Sequence, residues 1–196
     1  CVLISCRIFD WEYLFVMNLA AIILKIAGWR VNVTVPDYPK CIICVAPHTS
    51  NWDFILGLLA YSAVGRRAGF LMKEAWFFWP LGCLFRAIGG IAVPKEKGSR
   101  LSDEIVRRFD STDRMQLAIT PEGTRKRVTH WRTGFLHIAA EAHVPILLGA
   151  IDFATKQIII EEEFKPTGDI DADMRAIKDY YKPFVGRYPD KFTTDD

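Results

Sequence analysis

The most constraining feature of the sequence is a run of six apolar residues, Cys41 to Ala46, that ends at a Pro-His pair. A run this short is typical of a strand in the middle of a sheet whose two faces are both covered. Other short apolar runs alternate along the chain with longer segments of helical periodicity, a pattern typical of α/β proteins. The sequence therefore predicts an α/β fold with a central, mostly parallel or mixed sheet flanked by helices.

Length and composition limit the classes of protein to consider. A chain of 196 residues is long enough for one domain with a sizeable core and leaves little room for a second. Hydrophobic residues make up 51% of it, a fraction that fits a domain in contact with a membrane. The net charge of +2 is too small to indicate a nucleic-acid partner, and we expect none. The five cysteines are an odd number and follow no signal peptide, so we expect a reducing compartment.

The amino-terminal region predicts a helix that either lies on a membrane or packs against the rest of the protein. Met17 opens a segment that resembles a natural start, so we predict residues 1–16 to be a non-native or upstream extension and 17–196 to be the functional domain. Residues 13–29 are apolar apart from Asn18 and Lys25, and they fall short of the about 20 uncharged residues of a spanning helix. A helix lying on the bilayer surface and an ordinary packed helix both remain possible.

The first candidate site is the loop that follows the apolar run. His48 precedes Asp53 by five positions, and Ser50 is a good N-cap for a helix that starts between them. If the helix starts there, the Asp53 carboxylate can reach back to the imidazole and fix its tautomer. The other ring nitrogen could then take a proton from a hydroxyl group. On this spacing alone, a helix N-cap beside a chance histidine is the more common explanation.

Two further segments offer groups that suit phosphate. The loop after the predicted strand Met115–Thr120 contains Glu122, Gly123, Thr124 and Arg125. The glycine permits a close backbone approach, and the arginine can grip phosphate oxygens with two parallel hydrogen bonds. Lys95 places another cation just beyond a short predicted strand. Taken singly, each segment can equally be a solvated surface turn.

Taken together and in this order, the motifs resemble the glycerolipid acyltransferase superfamily, the lysophosphatidic-acid-acyltransferase-like enzymes. The resemblance covers about residues 29–152. The matching segments are His48 to Asp53, Gly90 to Lys95, Pro121 to Arg125 and Val144 to Leu147. Lys95 stands where the family usually has arginine, and a lysine holds phosphate as a point charge.

The resemblance implies a single-domain glycerolipid-acyltransferase-like fold with an N-terminal membrane-associating helix. It also implies transfer of a fatty acyl group from acyl-CoA or acyl-carrier protein to a lysophospholipid hydroxyl, first of all that of 1-acylglycerol-3-phosphate, in phospholipid biosynthesis. His48 would be the base and Asp53 its orienting partner. The residues expected to position the acceptor phosphate are Lys95, Glu122, Gly123, Thr124 and Arg125. No cofactor or metal is expected, and the protein would be peripheral or monotopic on the cytoplasmic face of a membrane, with membrane lipids as partners.

Other functions remain open at this stage. The acceptor could be glycerol-3-phosphate or another hydroxyl lipid. A phosphoester hydrolase could use His48 and Asp53 as metal ligands, but it would need a further cluster of carboxylates or histidines. A non-catalytic lipid-binding protein could keep the fold. Four consecutive aromatic residues, Trp76 to Trp79, cannot all face one way, so some of them are expected to contact a membrane.

Overall fold

A seven-stranded sheet with helices on both faces forms the centre of the molecule. The structure, a computed structural model, describes residues 16–93 and 99–195. In chain order the elements are α1 (residues 16–26), β1 (Arg30–Val33), β2 (Lys40–Ala46), α2 (Asn51–Ala63), β3 (Gly69–Lys73), α3 (Leu81–Ala87), β4 (Gly90–Val93), α4 (Ser99–Ser111), β5 (Met115–Ile119), α5 (Gly134–Glu141), β6 (Ile146–Asp152), β7 (Gln157–Phe164) and α6 (Ile170–Tyr181).

The strand order is β1-β7-β6-β2-β5-β3-β4, and β2 is the middle strand, as its apolar run predicted. All neighbouring strands are parallel except β6 and β7, which a turn of four residues joins. A connection this short permits only an antiparallel pair. The carboxylate of Asp152 holds the turn by accepting hydrogen bonds from the backbone of Ala154 and Thr155. The expected mixed sheet flanked by helices is confirmed.

Alternate residues of β2 belong to two hydrophobic cores, one on each face of the sheet. Ile42 and Cys44 pack in a core with buried side chains of α4, α5 and α6, which include Phe109, Phe135 and Ile177. Cys41 and Ile43 pack on the opposite face with Tyr61 of α2. This two-sided burial explains why β2 has no polar residue between Cys41 and Ala46. Cys41 and Cys44 are free, buried thiols, and Cys83 is free and exposed.

Helix α1 packs on the sheet face that carries α2. Ala20 and Leu24 are buried, whereas Leu19, Ile22 and Ile26 are exposed. No helix in the described part of the chain is long and apolar enough to cross a bilayer. Residues 1–16 were predicted to be an extension, and residues 1–15 of that segment lie outside the described residues.

Candidate active site

His48 and Asp53 meet at the carboxyl end of β2. The chain leaves the strand through a cis peptide bond between Ala46 and Pro47. Ser50 then caps α2, and Asp53 lies in the first turn of that helix. The Asp53 side chain consequently turns back along the loop, and its Oδ2 atom lies 3.4 Å from Nδ1 of His48. The structure therefore contains the juxtaposition that the helix start near Ser50 predicted.

The Asp53 carboxylate is buried and surrounded by donors. The backbone N–H groups of Thr49 and Ser50 donate to Oδ2 over 2.7 and 2.8 Å, and the Ser50 hydroxyl donates to Oδ1 over 2.8 Å. Burial raises the pKa of Asp53, but the hydrogen bonds from His48 and Ser50 outweigh it, and the pKa lies below its usual value. Asp53 is therefore ionised at neutral pH and favours a proton on Nδ1 of His48.

The second ring nitrogen of His48 is available for chemistry. No described residue forms a hydrogen bond to Nε2, and 19% of the side-chain surface is exposed. When Nδ1 carries the proton and faces Asp53, Nε2 presents a lone pair. The pair can therefore act as a general base toward a hydroxyl group that approaches from the open side.

Glu122 contacts the same histidine from the neighbouring loop. This loop follows β5, which pairs in parallel with β2, so both loops lie at the same edge of the sheet. Oε1 of Glu122 accepts a hydrogen bond of 2.7 Å from the backbone N–H of His48. The side chain is 6% exposed, and Oε2 has no partner among the described residues. Burial raises the pKa of Glu122 to about 7.

The sequence did not predict this contact between Glu122 and the backbone of His48. We expected the residue among the groups that position the acceptor phosphate. Its carboxylate instead lies inward, against the backbone of His48. A buried carboxylate in this place can position the backbone of His48, and when ionised it would repel a phosphate.

The remaining residues of the second loop face outward. Gly123 has a φ of 62°, in the left-handed region that favours glycine. Thr124 is half-buried, and its Oγ1 accepts a hydrogen bond from the backbone of Lys126. Arg125 is exposed, and its guanidinium contacts the side-chain oxygen of Asn51 at the start of α2. The arginine therefore lies beside the loop of His48, in the region where the acceptor phosphate was expected.

The third predicted segment can be placed only in part. Gly90–Val93 forms β4, an edge strand that pairs with β3, but Lys95 lies outside the described residues. Within residues 16–93 and 99–195, no group of three or more His, Cys, Asp and Glu side chains could hold a metal ion.

The structure adds a segment to the site that the sequence interpretation missed. Residues 185–188 follow α6 and pack against the loop of His48, with the backbone N–H of Tyr188 donating to Oγ1 of Thr49 over 3.2 Å. No motif marks these residues. The only local signal is a single glycine, Gly186, after an aromatic stretch.

An apolar groove begins beside the site. It has a volume of about 250 Å³ and lies between α1 and α2. Ile23 and Ala27 line it from α1, and Trp52 and Ile55 line it from α2. Arg187 lies at the same groove, with its guanidinium 5.3 Å from the centre of the Trp52 ring. Trp52, which lines the groove, immediately precedes Asp53 in the chain.

Comparison with known proteins agrees with this fold. A family model described as Acyltransferase matches residues 30–151, more than half of the chain. Among solved structures, the chain is similar to the 1-acyl-sn-glycerophosphate (LPA) acyltransferase PlsC from Thermotoga maritima. The TM-score is 0.59 and the sequence identity 16%, over 90% of this chain and 83% of that one. No curated protein sequence matches significantly. Both loops of the site lie inside residues 30–151 of the family match, whereas α6 and residues 185–188 lie beyond it.

Proposed function

Since the chain belongs to the acyltransferase family, we propose that it moves a fatty acyl group from a thioester to the hydroxyl of a lysophospholipid, with 1-acylglycerol-3-phosphate as the preferred acceptor. The observation that carries the proposal is the His48–Asp53 pair, with Nδ1 beside an ionised carboxylate and Nε2 open. The choice of acceptor rests on the activity named for the similar PlsC structure and on the cation at Arg125. Such an enzyme would serve phospholipid biosynthesis.

The reaction needs no nucleophile from the protein. Nε2 of His48 accepts the proton of the acceptor hydroxyl while the hydroxyl oxygen forms a bond to the thioester carbonyl carbon. The carbon–sulfur bond then breaks, and the thiolate leaves and takes the proton back from His48. Asp53 holds Nδ1 and stabilises the imidazolium that forms in between. Glu122 fixes the backbone of His48 throughout, since its Oε1 holds that N–H group.

Arg125 is the proposed anchor for the acceptor phosphate. It is exposed and contacts Asn51, two residues before Asp53. A guanidinium binds phosphate oxygens with two parallel hydrogen bonds. Lys95 is proposed as a second cation, from the segment after β4.

The apolar groove is the proposed place for the acyl chain. Its lining is hydrophobic, and it opens beside Trp52 in the loop of the base. An acyl chain in this groove would have its thioester end near His48. The donor is acyl-CoA or acyl-carrier protein, and no further cofactor is required.

The protein is proposed to work at the cytoplasmic face of a membrane, as a peripheral or monotopic protein. Two exposed apolar surfaces support this. One is the outer side of α1, where Ile26 is 82% exposed. The other surrounds Trp76 and Trp79, and Trp79 is 84% exposed. Tryptophan favours the interface between lipid and water, and exposed apolar patches mark interaction surfaces.

The test measures acceptor-dependent release of thiol. Purified protein in detergent is given palmitoyl-CoA with 1-acylglycerol-3-phosphate, with glycerol-3-phosphate or with no acceptor, and both free CoA and lipid products are measured. The proposal predicts release of CoA together with a diacyl product only when the lysophospholipid is present. Turnover of glycerol-3-phosphate, but not of the lysophospholipid, would show that glycerol-3-phosphate is the acceptor. If neither palmitoyl-CoA nor palmitoyl-acyl-carrier protein releases its thiol with either acceptor, the proposed acyltransferase activity is contradicted and a lipid-binding protein is favoured.

A further inference from the structure

Residues 185–188, here termed the supporting segment, are fastened to the sheet directly beside β2. The backbone N–H of Val185 donates to Oδ1 of Asp152 over 3.0 Å, and the backbone N–H of Phe153 donates to the carbonyl of Val185 over 2.8 Å. Asp152 is buried and ends β6, the strand next to β2. The segment therefore has a fixed position relative to the strand that carries the loop of His48.

The supporting segment touches that loop without a gap. Gly186 is buried, and a Cβ atom at this position would lie 2.8 Å from Cγ2 of Thr49 and 3.1 Å from Cβ of Pro47. Neither neighbour can give way easily, because one is a short β-branched side chain and the other a proline ring. Only a residue without a side chain fits between the segment and the loop. The hydrogen bond from Tyr188 to Thr49 closes the same contact.

A displacement of Thr49 would reach the catalytic pair directly. Thr49 lies between His48 and Ser50, and its backbone N–H is one of the donors to Oδ2 of Asp53. The same oxygen faces Nδ1 of His48. The distance between imidazole and carboxylate thus depends on where the supporting segment holds Thr49.

Helix α6, which leads into the supporting segment, also contacts β2 and the stretch that follows the second loop. The hydroxyl of Tyr181 donates to the carbonyl of Cys44 in β2 over 2.5 Å. Nζ of Lys178 donates to the carbonyl of Thr129, in the stretch that continues from the second loop. The region beyond the family match therefore holds the ends of β2 and of the second loop together.

We propose that the supporting segment is a positioning element of the active site, in which Gly186 sets the place of Thr49 and thereby the His48–Asp53 geometry. The kinetic consequence rests on the proposed acyltransferase function. The geometric consequence does not, since it concerns which ring nitrogen of His48 carries the proton.

The test begins with Gly186→Ala and its matched control Gly57→Ala. Gly57 lies in α2, and a Cβ atom there would have its nearest contact at 4.0 Å. Gly186→Ala is expected to lower kcat about ten- to a hundredfold with little change in KM for the thioester, because small misplacements of reacting groups have effects of this size. Gly57→Ala is expected to keep the wild-type kcat.

A compensating variant separates positioning from general damage. Thr49→Ser removes Cγ2, the nearest atom to the added methyl group, and keeps the hydroxyl that accepts from Tyr188. The double variant Gly186→Ala/Thr49→Ser is expected to recover part of the lost kcat, because Oγ1 of residue 49 and Cβ of Pro47 would still lie 3.0 and 3.1 Å from the added methyl group. A folded double variant without any recovery of kcat would contradict the proposed path through Thr49.

An activity-independent measurement is made on the same proteins. The ¹⁵N shifts of the neutral His48 ring, assigned by their loss in His48→Asn, report which nitrogen carries the proton. Wild type and Gly57→Ala should show the proton on Nδ1, and Gly186→Ala should show a shift toward Nε2. Thr49→Val, which keeps the shape but removes the acceptor for Tyr188, should shift in the same direction if Gly186→Ala does not fold. An unchanged His48 tautomer in the folded variants would overturn the proposal, whether or not wild type turns over a thioester.

Discussion

Two buried carboxylates contact His48 in opposite electrostatic environments. Asp53 receives three hydrogen bonds besides its contact with the imidazole, and its pKa is lowered. Glu122 receives one hydrogen bond at Oε1 and none at Oε2 from a described residue, and burial raises its pKa to about 7. Burial raises the pKa of both groups, and only at Asp53 do the hydrogen bonds outweigh it. Asp53 is consequently suited to orient the imidazole of His48, and Glu122 to hold the backbone of His48.

Asp53→Asn should leave the loop nearly intact while disturbing the histidine. The amide oxygen can keep the hydrogen bonds from the backbone of Thr49 and Ser50, but the neutral side chain would no longer stabilise the imidazolium that forms during proton transfer. We expect kcat to fall about 10²- to 10⁴-fold. Asp173→Asn is the matched control, because Asp173 of α6 is equally buried and accepts a hydrogen bond from the backbone N–H of Thr167. Wild-type kcat in folded Asp53→Asn would contradict the assigned role.

Glu122→Gln should change how stability depends on pH. The pKa of Glu122 is raised from 4.5 to about 7, so between these values the folded protein binds more protons than the unfolded chain. The free energy of unfolding therefore falls as the pH rises through this range, by about 3 kcal/mol from this group. Glutamine cannot ionise but can still accept from the backbone of His48.

Urea unfolding of wild type and Glu122→Gln across that range measures the difference. The variant should lose less stability than wild type as the pH rises from 4.5 to about 7. If the free energy of unfolding depends on pH in the same way for the two proteins, Glu122 has an ordinary pKa in the folded state, and the raised pKa is contradicted.

At the scale of elements, the parts predicted best are those with a local cause. The run from Cys41 to Ala46 predicted β2, and Ser50 predicted the start of α2. The end of β7 has no such local cause, because the strand runs on to Phe164 through Glu161, Glu162 and Glu163, which resemble a loop in sequence. Those residues remain in the strand because Glu162 and Glu163 pair with β6 across a register shift at Leu148.

Two features of the site could not be predicted from neighbouring residues in the sequence. One is the inward orientation of Glu122, and the other is the contact of the supporting segment with the loop of His48. Thr49 and Tyr188 are 139 positions apart, and their hydrogen bond exists only after the sheet has formed. Gly186 looks in sequence like any turn glycine, and the atoms that exclude a side chain there belong to Pro47 and Thr49. Burial of Glu122 likewise follows from packing rather than from the neighbouring residues.

The buried side of helix α6 should contribute most of the stability that the helix gives to the fold. Ile177 is fully buried in the core of α4, α5 and β2, whereas Ile170 in the same helix is 50% exposed. Ile177→Ala should lower the free energy of unfolding by about 2–5 kcal/mol, and Ile170→Ala by less than about 0.5 kcal/mol. Urea unfolding measures both. Similar losses at the two positions would contradict the described packing of the helix.

At the scale of the whole molecule, the apolar side of α1 should contribute to binding lipid surfaces. Vesicles of phosphatidylcholine with phosphatidylglycerol are mixed with protein and sedimented. Ile26→Ser should weaken binding about fivefold or more, since burying even half of such a side chain contributes about 1 kcal/mol. Ile170→Ser, an equivalent change on α6, should bind as wild type does. Equal binding by all three proteins would remove α1 from the proposed membrane surface.

The central claim is that His48 is the base of a thioester-dependent acyl transfer. The most direct measurement compares CoA release from palmitoyl-CoA, with 1-acylglycerol-3-phosphate as acceptor, for wild type, His48→Ala and His137→Ala. His137 is an exposed histidine on α5, and its replacement should leave the rate unchanged. We expect His48→Ala to lose at least about 10²-fold in rate. Turnover by folded His48→Ala at the wild-type rate would contradict the mechanism.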